Sequence, residues 1–330
     1  MKKTFYVFNE GEFKRKDNTL FFESEQGRRY IPVEDVQEIH IFSEVNLNKR
    51  FLEFLTQKEV ILHFYNYYGY YVGTYYPREH LNSGYMILRQ VEHYLDWERR
   101  LKLARAFVEG AAANMIEVLT YYNRRNKDVQ DPLNSIVELL ERIEDNMRIE
   151  GLMAIEGNIR NAYYSAFNTI IDKSEFCFEG RNRRPPRDRI NALISFGNTV
   201  AYTTCLSEIY RTHLDPRISY LHTTNFRRFS LNLDIAEVFK PILVDRIIFY
   251  LLARNMLRAN HFEAKAGGIL LNDMGRQVFI TEWENRLRKT IKHRQIGREV
   301  SYRRLIRLEL YKLEKHLMGE KEYTAYVSRW

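Results

Sequence analysis

The segment PREHLNSGY, residues 77–85, divides the chain into two stretches with different hydrophobic periods. It combines proline, asparagine, serine and glycine, which favour turns and interrupt regular secondary structure. Before it, apolar residues recur in short runs typical of strands, and after it they recur at helical spacing. We therefore predict an α+β protein with a small N-terminal β-rich domain over residues 1–78, a linker over 79–88 and a large all-α helical domain over 89–330.

Upstream of this segment, short runs rich in Val, Ile, Phe and Tyr predict β-strands. Polar or glycine-containing turns separate these runs, and one helix is predicted between them, over residues 46–58. The predicted strands are TFYVF (4–8), TLFFE (19–23), RRYIPV (28–33), VQEIHIF (36–42), VILHFYN (60–66) and YYVGTYY (70–76).

Downstream, the spacing of apolar residues predicts a succession of helices. Residues 84–125 give one or two long helices, and a further helix over 131–147 has Pro132 near its first turn, where proline is tolerated. The remaining predicted helices cover residues 150–172, 188–212, 241–260, 273–293 and 299–317.

The composition is that of an ordinary globular protein with an excess of positive charge. Hydrophobic residues make up 45% and charged residues 28%, and the formal net charge is +8. Such an excess suggests a polyanionic partner, although it does not bear on the fold. Cys177 and Cys205 are too few for a disulfide framework or a thiolate zinc site, so a reducing cytoplasm is the expected location.

No segment of the sequence predicts membrane insertion or export. The apolar run 241–253 is interrupted by Asp245 and Arg246, and it is shorter than the ~20 residues that a membrane span requires. The N-terminal residues lack the apolar core and the small-residue cleavage site of a signal peptide. We therefore expect no association with a membrane.

The helix predicted within residues 150–172 carries an acidic residue on its apolar face. At about 100° per residue, its apolar side chains form one stripe, and Glu156 projects into that stripe. The stripe consists of Leu152, Ile155, Ile159, Tyr163, Ala166 and Ile170. A carboxylate among core positions is costly unless it is neutral, paired or bound to a metal. Glu156 is therefore interpreted either as the partner of a buried arginine or an edge residue that reaches water, or as a metal ligand.

A second group of candidate ligands lies in LHTTNFRRFSLNLDIAE, residues 221–237. Asp234 and Glu237 are three residues apart, so a helical start would place them on one face, and the same spacing also suits a capping box. Pro241 would fall in the second turn of such a helix, so the segment is expected to bend or to form two short pieces. His222, taken alone, is as well explained by a structural role.

Taken together, Glu156, His222, Asp234 and Glu237 form a chemically coherent set. One imidazole with several carboxylates suits Mg²⁺ or Mn²⁺ and does not suit a closed thiolate zinc site. Such a metal bound near phosphate acts as a Lewis acid that polarises a phosphoryl oxygen and orients an attacking hydroxyl. The set therefore suits metal-assisted chemistry on a phosphate group bound beside it.

Four segments together resemble the CRISPR-associated integrases of the spacer-acquisition module, the Cas-one family. They are MAIEGNIRNAYYSAF (153–167), INALISFGNTVAYTTC (190–205), LHTTNFRRFSLNLDIAEVFKPILVD (221–245) and SGYMILRQVEHYLD (83–96). The resemblance extends over essentially the whole chain and includes the order of the β-rich and helical parts. It implies that the β-rich domain is a dimerisation domain and that the helical domain is a metal-dependent catalytic domain.

The resemblance also implies roles for individual residues. Glu156, His222 and Glu237 match the three catalytic positions that bind the metal, with Mg²⁺ or Mn²⁺ as the cofactor. Asp234 matches a further acidic position, either as a support for a ligand or as an alternative ligand. Glu237 stands where the family often has aspartate, and both residues can bind a metal.

The implied activity is that of a metal-dependent DNA endonuclease and integrase of antiviral defence. A free 3′-hydroxyl of a short prespacer duplex attacks a phosphodiester in the CRISPR repeat array. The implied partners are double-stranded DNA, a second copy of the chain in a homodimer, and a small second adaptation protein of the Cas-two family.

Two basic segments are consistent with a DNA partner. Residues 181–189 carry five arginines around a Pro-Pro pair, and residues 286–307 contain nine Lys or Arg against a single Glu. Either segment is also explained as a solvated surface, yet such a local excess fits phosphate contact. The residues assigned to DNA contact are Arg181, Arg183, Arg184, Arg227, Arg228, Lys240, Arg303 and Arg304. Base stacking is considered for Tyr163, Tyr164 and Tyr302, with core packing as the alternative for the first two.

Two other functions remain open from the sequence. The chain would be a noncatalytic nucleic-acid-binding assembly protein if the acidic cluster were only a structural ion pair. A metal phosphodiesterase acting mainly on RNA or branched DNA would use the same site chemistry. A metabolic enzyme is disfavoured, because the sequence contains no P-loop, dinucleotide-binding glycine pattern or nucleophile elbow.

Overall fold

The computed structural model of the chain describes residues 2–17, 19–78, 81, 83–183, 185–222, 229–265, 267–293 and 297–329. The predicted sites Arg184, Arg227 and Arg228 lie outside these residues. The chain divides into two units, Met1–Asn82 and Ser83–Trp330. The expected order is confirmed, since strands dominate the first unit and helices the second.

The N-terminal unit contains eight strands and one helix among the described residues. The strands are β1 (Lys3–Val7), β2 (Gly11–Lys16), β3 (Thr19–Ser24), β4 (Gly27–Pro32), β5 (Val36–Ile41), β6 (Val45–Asn46), β7 (Ile61–Tyr65) and β8 (Tyr71–Tyr75). Helix α1 (Lys49–Lys58) begins after Asn48, whose side chain accepts a hydrogen bond from the backbone N–H of Phe51.

These strands form two four-stranded sheets. One sheet has the order β1-β5-β7-β8, in which β1, β5 and β7 are parallel and β8 is antiparallel to β7. The other has the order β4-β3-β2-β6. Ile39 and Leu62 of the first sheet pack into an apolar core with Phe51 and Phe54 of α1. Because side chains alternate along a strand, the opposite face of that sheet carries a different set of residues.

Two strands of this unit, β2 and the two-residue β6, escape prediction from the sequence. Strand β2 has the sequence GEFKRK, and Phe13 is its single fully buried side chain. The charged residues around Phe13 hide the alternation that identifies the other strands. Pairing with β3 over five residue pairs stabilises β2 nonetheless.

The C-terminal unit is built mainly of helices and includes two short hairpins that the sequence does not predict. The helices are α2 (Gly84–Leu95), α3 (Trp97–Asn123), α4 (Gln130–Glu141), α5 (Ile149–Ser165), α6 (Phe167–Ile171), α7 (Arg189–Ile209), α8 (Leu231–Phe239), α9 (Arg246–Ala253), α10 (Asp273–Arg288) and α11 (Tyr302–Leu317). The hairpins pair β9 (Phe262–Lys265) with β10 (Gly268–Leu271), and β11 (Thr290–Lys292) with β12 (Glu299–Ser301). Helix α2 begins at Gly84, inside the stretch predicted as a linker.

The segment around Pro241 is continuous and is not broken into separate pieces. Helix α8 continues through a π-helical turn, Pro241–Asp245, directly into α9. In this turn the backbone N–H of Asp245 donates to the carbonyl of Lys240 at 3.1 Å, a spacing of five residues. The wider turn accommodates the proline, and the helix expected over residues 241–260 is therefore a π turn followed by a shorter α-helix.

Hydrogen bonds of Asn114, on α3, connect the C-terminal residues to α3 and α8. The side-chain amide of Asn114 donates to the carbonyls of Val238 and Tyr326 at 2.8 Å each, and its oxygen accepts from the backbone N–H of Ser328. A Cβ atom at Gly110 would overlap the side chain of Ala325, so the close approach of this segment to α3 requires glycine.

Among the described residues, no helix is both long and apolar enough to cross a lipid bilayer.

Candidate functional site

Two of the acidic residues singled out in the sequence lie together around one arginine. Glu156 is on α5 and Glu237 is on α8, and the guanidinium of Arg160 contacts both carboxylates. The Nε of Arg160 donates to Oε1 of Glu156 at 2.8 Å, and the side chain of Arg160 is buried. The two carboxylates thus share a single cation.

The position of Glu156 matches the interpretation as the partner of a buried arginine at the edge of the stripe. Leu152, Ile155 and Ile159 are buried in the predicted stripe, while the side chain of Glu156 is 22% exposed at its edge. The ion pair with Arg160 is present, and the remaining exposure leaves the carboxylate accessible from solvent. The structural pair and a ligand position are therefore compatible at this residue.

Glu237 is buried and held by two cations. The Nζ of Lys240 donates to both carboxylate oxygens of Glu237, at 2.7 and 2.9 Å, and it also donates to the hydroxyl of Tyr202 at 3.2 Å. Burial alone would raise the pKa of Glu237, but the charges of Arg160, Lys240 and His222 outweigh it and lower the pKa to about 2. Glu237 is therefore ionised at neutral pH.

Asp234 fixes the position of His222. Its carboxylate is fully buried and accepts hydrogen bonds from the backbone N–H groups of Tyr220, Leu221 and His222, at 2.7, 3.1 and 3.0 Å. The same carboxylate lies 2.8 Å from Nδ1 of His222. This contact assigns the proton of the neutral imidazole to Nδ1 and leaves the lone pair on Nε2.

Opposing effects act on the pKa of His222. Burial lowers the pKa, whereas the hydrogen bond and charge of Asp234 raise it, as do the charges of Glu237 and Glu156, and the net pKa is above its ordinary value. The charges of both glutamates therefore favour the protonated form of this imidazole.

Asp234 and Glu237 both belong to the body of α8, which begins at Leu231 after Ser230. The N-cap role that the sequence left open for Asp234 is therefore wrong. A buried carboxyl group also lies at the end of the π turn, where burial raises the pKa of Asp245 to about 7 although the charges of Lys240 and Arg160 lower it.

The donor atoms of Glu156, His222 and Glu237 do not form a closed metal cage. Within the part of the chain that the structure describes, these atoms do not all lie within 4.8 Å of one another. The guanidinium of Arg160 lies between the two carboxylates instead. Two carboxylates and an imidazole are nevertheless the donors that a hard divalent cation prefers.

Several cations assigned to DNA contact are used inside the protein. Lys240 is buried against Glu237, and the side chain of Arg303 is 8% exposed, with Glu284 at 3.3 Å and Glu208 at 3.7 Å. Arg181 is partly buried and donates to Asn191 and Ser195 at 2.8 and 3.0 Å. The expectation of surface phosphate contact is wrong for Lys240 and Arg303, because their charges are already paired.

The remaining residues predicted to contact DNA differ in their exposure to solvent. Arg183 and Arg304 are exposed, as a phosphate-binding surface requires. Tyr163, Tyr164 and Tyr302 are buried, so core packing replaces the base stacking considered from the sequence.

The basic segment 286–307 contributes to a groove that the sequence did not delimit. The groove has a volume of about 1020 Å³ and runs between α11 and the C-terminal residues. Its basic side chains are Arg246, Arg286, Lys289, Lys292, Lys312, Lys315, Lys321 and Arg329. Of the described acidic residues, Glu309 alone lines this groove, and it is paired with Lys312 at 2.7 Å.

A second cluster of potential ligands in the N-terminal unit was missed in the sequence. Glu38 and His40 on β5 and His63 on β7 are fully buried, and their donor atoms lie within 4.8 Å of one another. The available signal was a glutamate and a histidine two residues apart in a strand, where both side chains point to the same face.

The profile of the family described as CRISPR associated protein Cas1 matches residues 5–285 of the chain. A relative from Thermodesulfovibrio yellowstonii, named CRISPR-associated endonuclease Cas1 2, is 59% identical over 330 residues, which cover 100% of each chain.

Solved structures give a consistent result. A CAS1 protein from Thermotoga maritima aligns with a TM-score of 0.89 and 48% identity, covering 98% of this chain and 99% of the other. A casposase bound to integration product aligns with a TM-score of 0.90, 21% identity and coverage of 100% and 96%. A chain of a Cas6-RT-Cas1–Cas2 complex has a TM-score of 0.87 and 16% identity, covering 100% of this chain and 36% of the other. The last two alignments show similarity of fold alone.

Proposed function

The chain belongs to the Cas1 family of CRISPR-associated endonucleases, and from this premise we propose that it integrates prespacer DNA into a CRISPR array. In the proposed reaction, a DNA 3′-hydroxyl loses its proton and forms a new phosphodiester at a phosphorus of the repeat. The bond from that phosphorus to the repeat's own 3′-oxygen breaks, and this oxygen takes up a proton and leaves as a 3′-hydroxyl. The reaction depends on Mg²⁺ or Mn²⁺. The observation that carries the proposal is the convergence of Glu156 and Glu237, from two helices, on one cation.

The side chains of the site fit a divalent cation. Glu156 and Glu237 supply carboxylate oxygens, and His222 supplies Nε2 because Asp234 occupies the other nitrogen. Lys240 and Arg160 keep Glu237 ionised, which is the protonation state that a metal ligand requires. Mg²⁺ or Mn²⁺, when bound, would supply Lewis-acid polarisation of a phosphoryl oxygen. Arg160 and Lys240 together balance the charges of the two carboxylates.

We place the DNA duplex along the basic groove and the exposed arginines Arg183 and Arg304. Lys289 and Lys292 are exposed side chains of the groove and are suited to phosphate contact. The groove supplies sequence-independent affinity, while the acidic site of the same unit supplies the chemistry.

The partners of the proposed reaction follow from the family. The N-terminal unit is the proposed dimerisation domain of a homodimer. A small second adaptation protein of the Cas2 type is the proposed further subunit, which agrees with the name of one structural neighbour, a Cas6-RT-Cas1–Cas2 complex. We propose the cytoplasm as the location.

Strand transfer with a defined DNA end tests the function. A labelled short duplex with a free 3′-hydroxyl is incubated with Mn²⁺, the chain and a plasmid that carries CRISPR repeats, with and without the Cas2-type protein of the same locus. The label is expected to become covalently joined to the plasmid, because the hydroxyl is the attacking group.

The matched control is the same duplex with a 3′-dideoxy end, which is expected to give no joined product. Degradation of DNA without joining, or preferential cleavage of RNA or branched DNA, would instead favour the phosphodiesterase alternative.

The salt dependence of duplex binding tests the groove. Replacing Lys289 and Lys292 together by glutamine is expected to reduce the slope of log K against log salt by about 2, because each lost phosphate contact removes about one released counterion. Fluorescence anisotropy with a labelled duplex, from low to physiological salt, measures the slope. Lys49→Gln is the control, since the side chain of Lys49 is 88% exposed in the other unit. An unchanged slope in the double variant would exclude these lysines from the DNA interface.

A further inference from the structure

Three buried ionisable side chains of the N-terminal unit have no part in the proposed reaction. Glu38, His40 and His63 project from the face of the β1-β5-β7-β8 sheet opposite the apolar core. His40 and His63 are directly paired across β5 and β7, and all three side chains are fully buried. Burial of such groups is costly unless their charges and polar atoms are compensated.

The spacing of the donor atoms suits a small cation. All three donors lie within 4.8 Å of one another, and Nε2 of His40 lies 3.6 Å from Oε1 of Glu38. A tetrahedral ion with ligands at about 2.0–2.2 Å has ligand atoms about 3.4 Å apart. The distance of 3.6 Å is too long for a hydrogen bond, but it is close to the edge of such a tetrahedron.

The Nδ1 nitrogen of each imidazole already has a hydrogen-bond partner. Nδ1 of His40 lies 2.7 Å from the hydroxyl of Tyr65, and Nδ1 of His63 lies 2.8 Å from Oγ1 of Thr74. Hydrogen bonds of this kind fix the ring orientation of metal-bound histidines and leave Nε2 as the ligand atom. Thr4 similarly donates to Oε1 of Glu38 at 3.1 Å.

The Nε2 nitrogen of His40 independently indicates a bound ion. Within the described part of the chain, Nε2 of His40 is buried and makes no hydrogen bond. The ring stacks on Tyr6 with the ring centroids 4.7 Å apart, and its Nδ1 is hydrogen-bonded to Tyr65, so both contacts resist rotation toward another partner. A buried nitrogen without a hydrogen bond, aimed at two other donors, is the arrangement expected around an ion.

We propose that Glu38, His40 and His63 form a Zn²⁺ site that joins β5 and β7 in the N-terminal unit. Two imidazoles and one carboxylate are a frequent zinc ligand set, with a fourth position for water, whereas Mg²⁺ prefers a shell of oxygens. The ion stabilises the sheet by linking adjacent parallel strands through side chains of both. The site is made of residues entirely different from those of the proposed catalytic centre.

Zn²⁺ binding to the full chain tests the proposal. The protein carries Glu156→Gln and His222→Gln, so that the other group of donors is disabled, and it is treated with a chelator, desalted and titrated with Zn²⁺. We expect one Zn²⁺ per chain, a rise in the midpoint of thermal unfolding, and the intense visible absorption of tetrahedral Co²⁺ when Co²⁺ replaces Zn²⁺. A folded chain that binds no Zn²⁺ would overturn the proposal.

Removing one ligand makes the test specific. In the same background, His63→Gln is expected to weaken Zn²⁺ binding about 100-fold or more, since it deletes a direct ligand and not only an outer partner. His213→Gln is the matched control, because the side chain of His213 is 51% exposed on the other unit, and it is expected to leave binding unchanged. Equal affinity in the His63→Gln and His213→Gln proteins would also overturn the proposal.

X-ray absorption decides the question if His63→Gln fails to fold. The zinc edge of the loaded Glu156→Gln and His222→Gln protein should show two imidazole ligands and an oxygen shell, and any other ligand set would contradict the assignment. Strand transfer by the wild-type chain does not enter these measurements, so their failure would leave the proposed function untouched.

Discussion

Glu156→Gln is expected to lower Mn²⁺-dependent cleavage and strand transfer by about 10³-fold or more. The substitution removes one negative ligand oxygen, and loss of about 4 kcal/mol of transition-state stabilisation corresponds to this factor. The fold should survive, because the side chain is 22% exposed and Arg160 keeps its contact with Glu237. Rates of joined product and of nicked plasmid, measured at saturating Mn²⁺, give the effect.

The matched control is Glu150→Gln on the same helix. Glu150 lies in the first turn of α5 with 80% of its side chain exposed, so the same chemical change should leave the rate within about twofold. His222→Ala is expected to reproduce the loss seen with Glu156→Gln. Full activity of Glu156→Gln or His222→Ala in a protein with native circular dichroism would refute the assignment of the site.

Asp234→Asn is expected to weaken Mn²⁺ binding about 10–100-fold, even though Asp234 is predicted to act through His222. An asparagine can accept hydrogen bonds with only one of its two terminal atoms. If its amide group faces His222, Nδ1 must accept a hydrogen bond from it and the ring proton then sits on Nε2, which removes the lone pair that a metal needs. If the amide group turns the other way, it meets the N–H groups of Tyr220 and Leu221 instead.

Either orientation also destabilises the protein. Two donors face each other in a site with no exposure, so we expect the free energy of unfolding to fall by about 1.5–3 kcal/mol, the contribution of one charged hydrogen bond. Calorimetric titration with Mn²⁺ and urea unfolding measure the two effects. Asp215→Asn is the matched control. It removes a carboxylate that accepts a hydrogen bond from the backbone N–H of Arg217 and leaves the contact between Asp234 and His222 in place, so Mn²⁺ affinity should be unchanged. A similar loss of affinity in both variants would mean that Asp234 supports the loop and not the imidazole.

The sequence predicts elements well where burial follows a simple period. The apolar runs of β5 and β7 and the stripe Leu152–Ile159 on α5 both appear in the structure, because each element packs its apolar side chains into a core. Prediction fails where a single side chain is buried, as with Phe13 in β2, since no period can be read from one residue. It also fails at Pro241, because the chain can widen a helical turn and not only break it.

The sequence predicts that Glu156 and Glu237 lie close together, but it does not predict the electrostatics of the site. Spacing and resemblance indicate Glu156, His222 and Glu237, yet nothing in the sequence shows that Arg160 bridges the two glutamates. The local excess of positive charge was equally insufficient to predict the environment of Arg303. This residue lies in a basic segment, but it pairs with Glu208, 95 positions away in the sequence. Whether a cation faces solvent depends on partners that only the fold brings close.

The widened turn at Pro241–Asp245 changes the direction in which side chains after the turn point, relative to those of α8 before it. In a regular α-helix, eight steps from Glu237 to Asp245 would rotate through about 800°, which leaves the two side chains about 80° apart. A turn that absorbs one additional residue removes about 100° of this rotation and brings them to within about 20°. The extra residue therefore turns a second carboxyl group toward the side that carries Glu237, and Glu237 is accordingly among the charges that raise the pKa of Asp245.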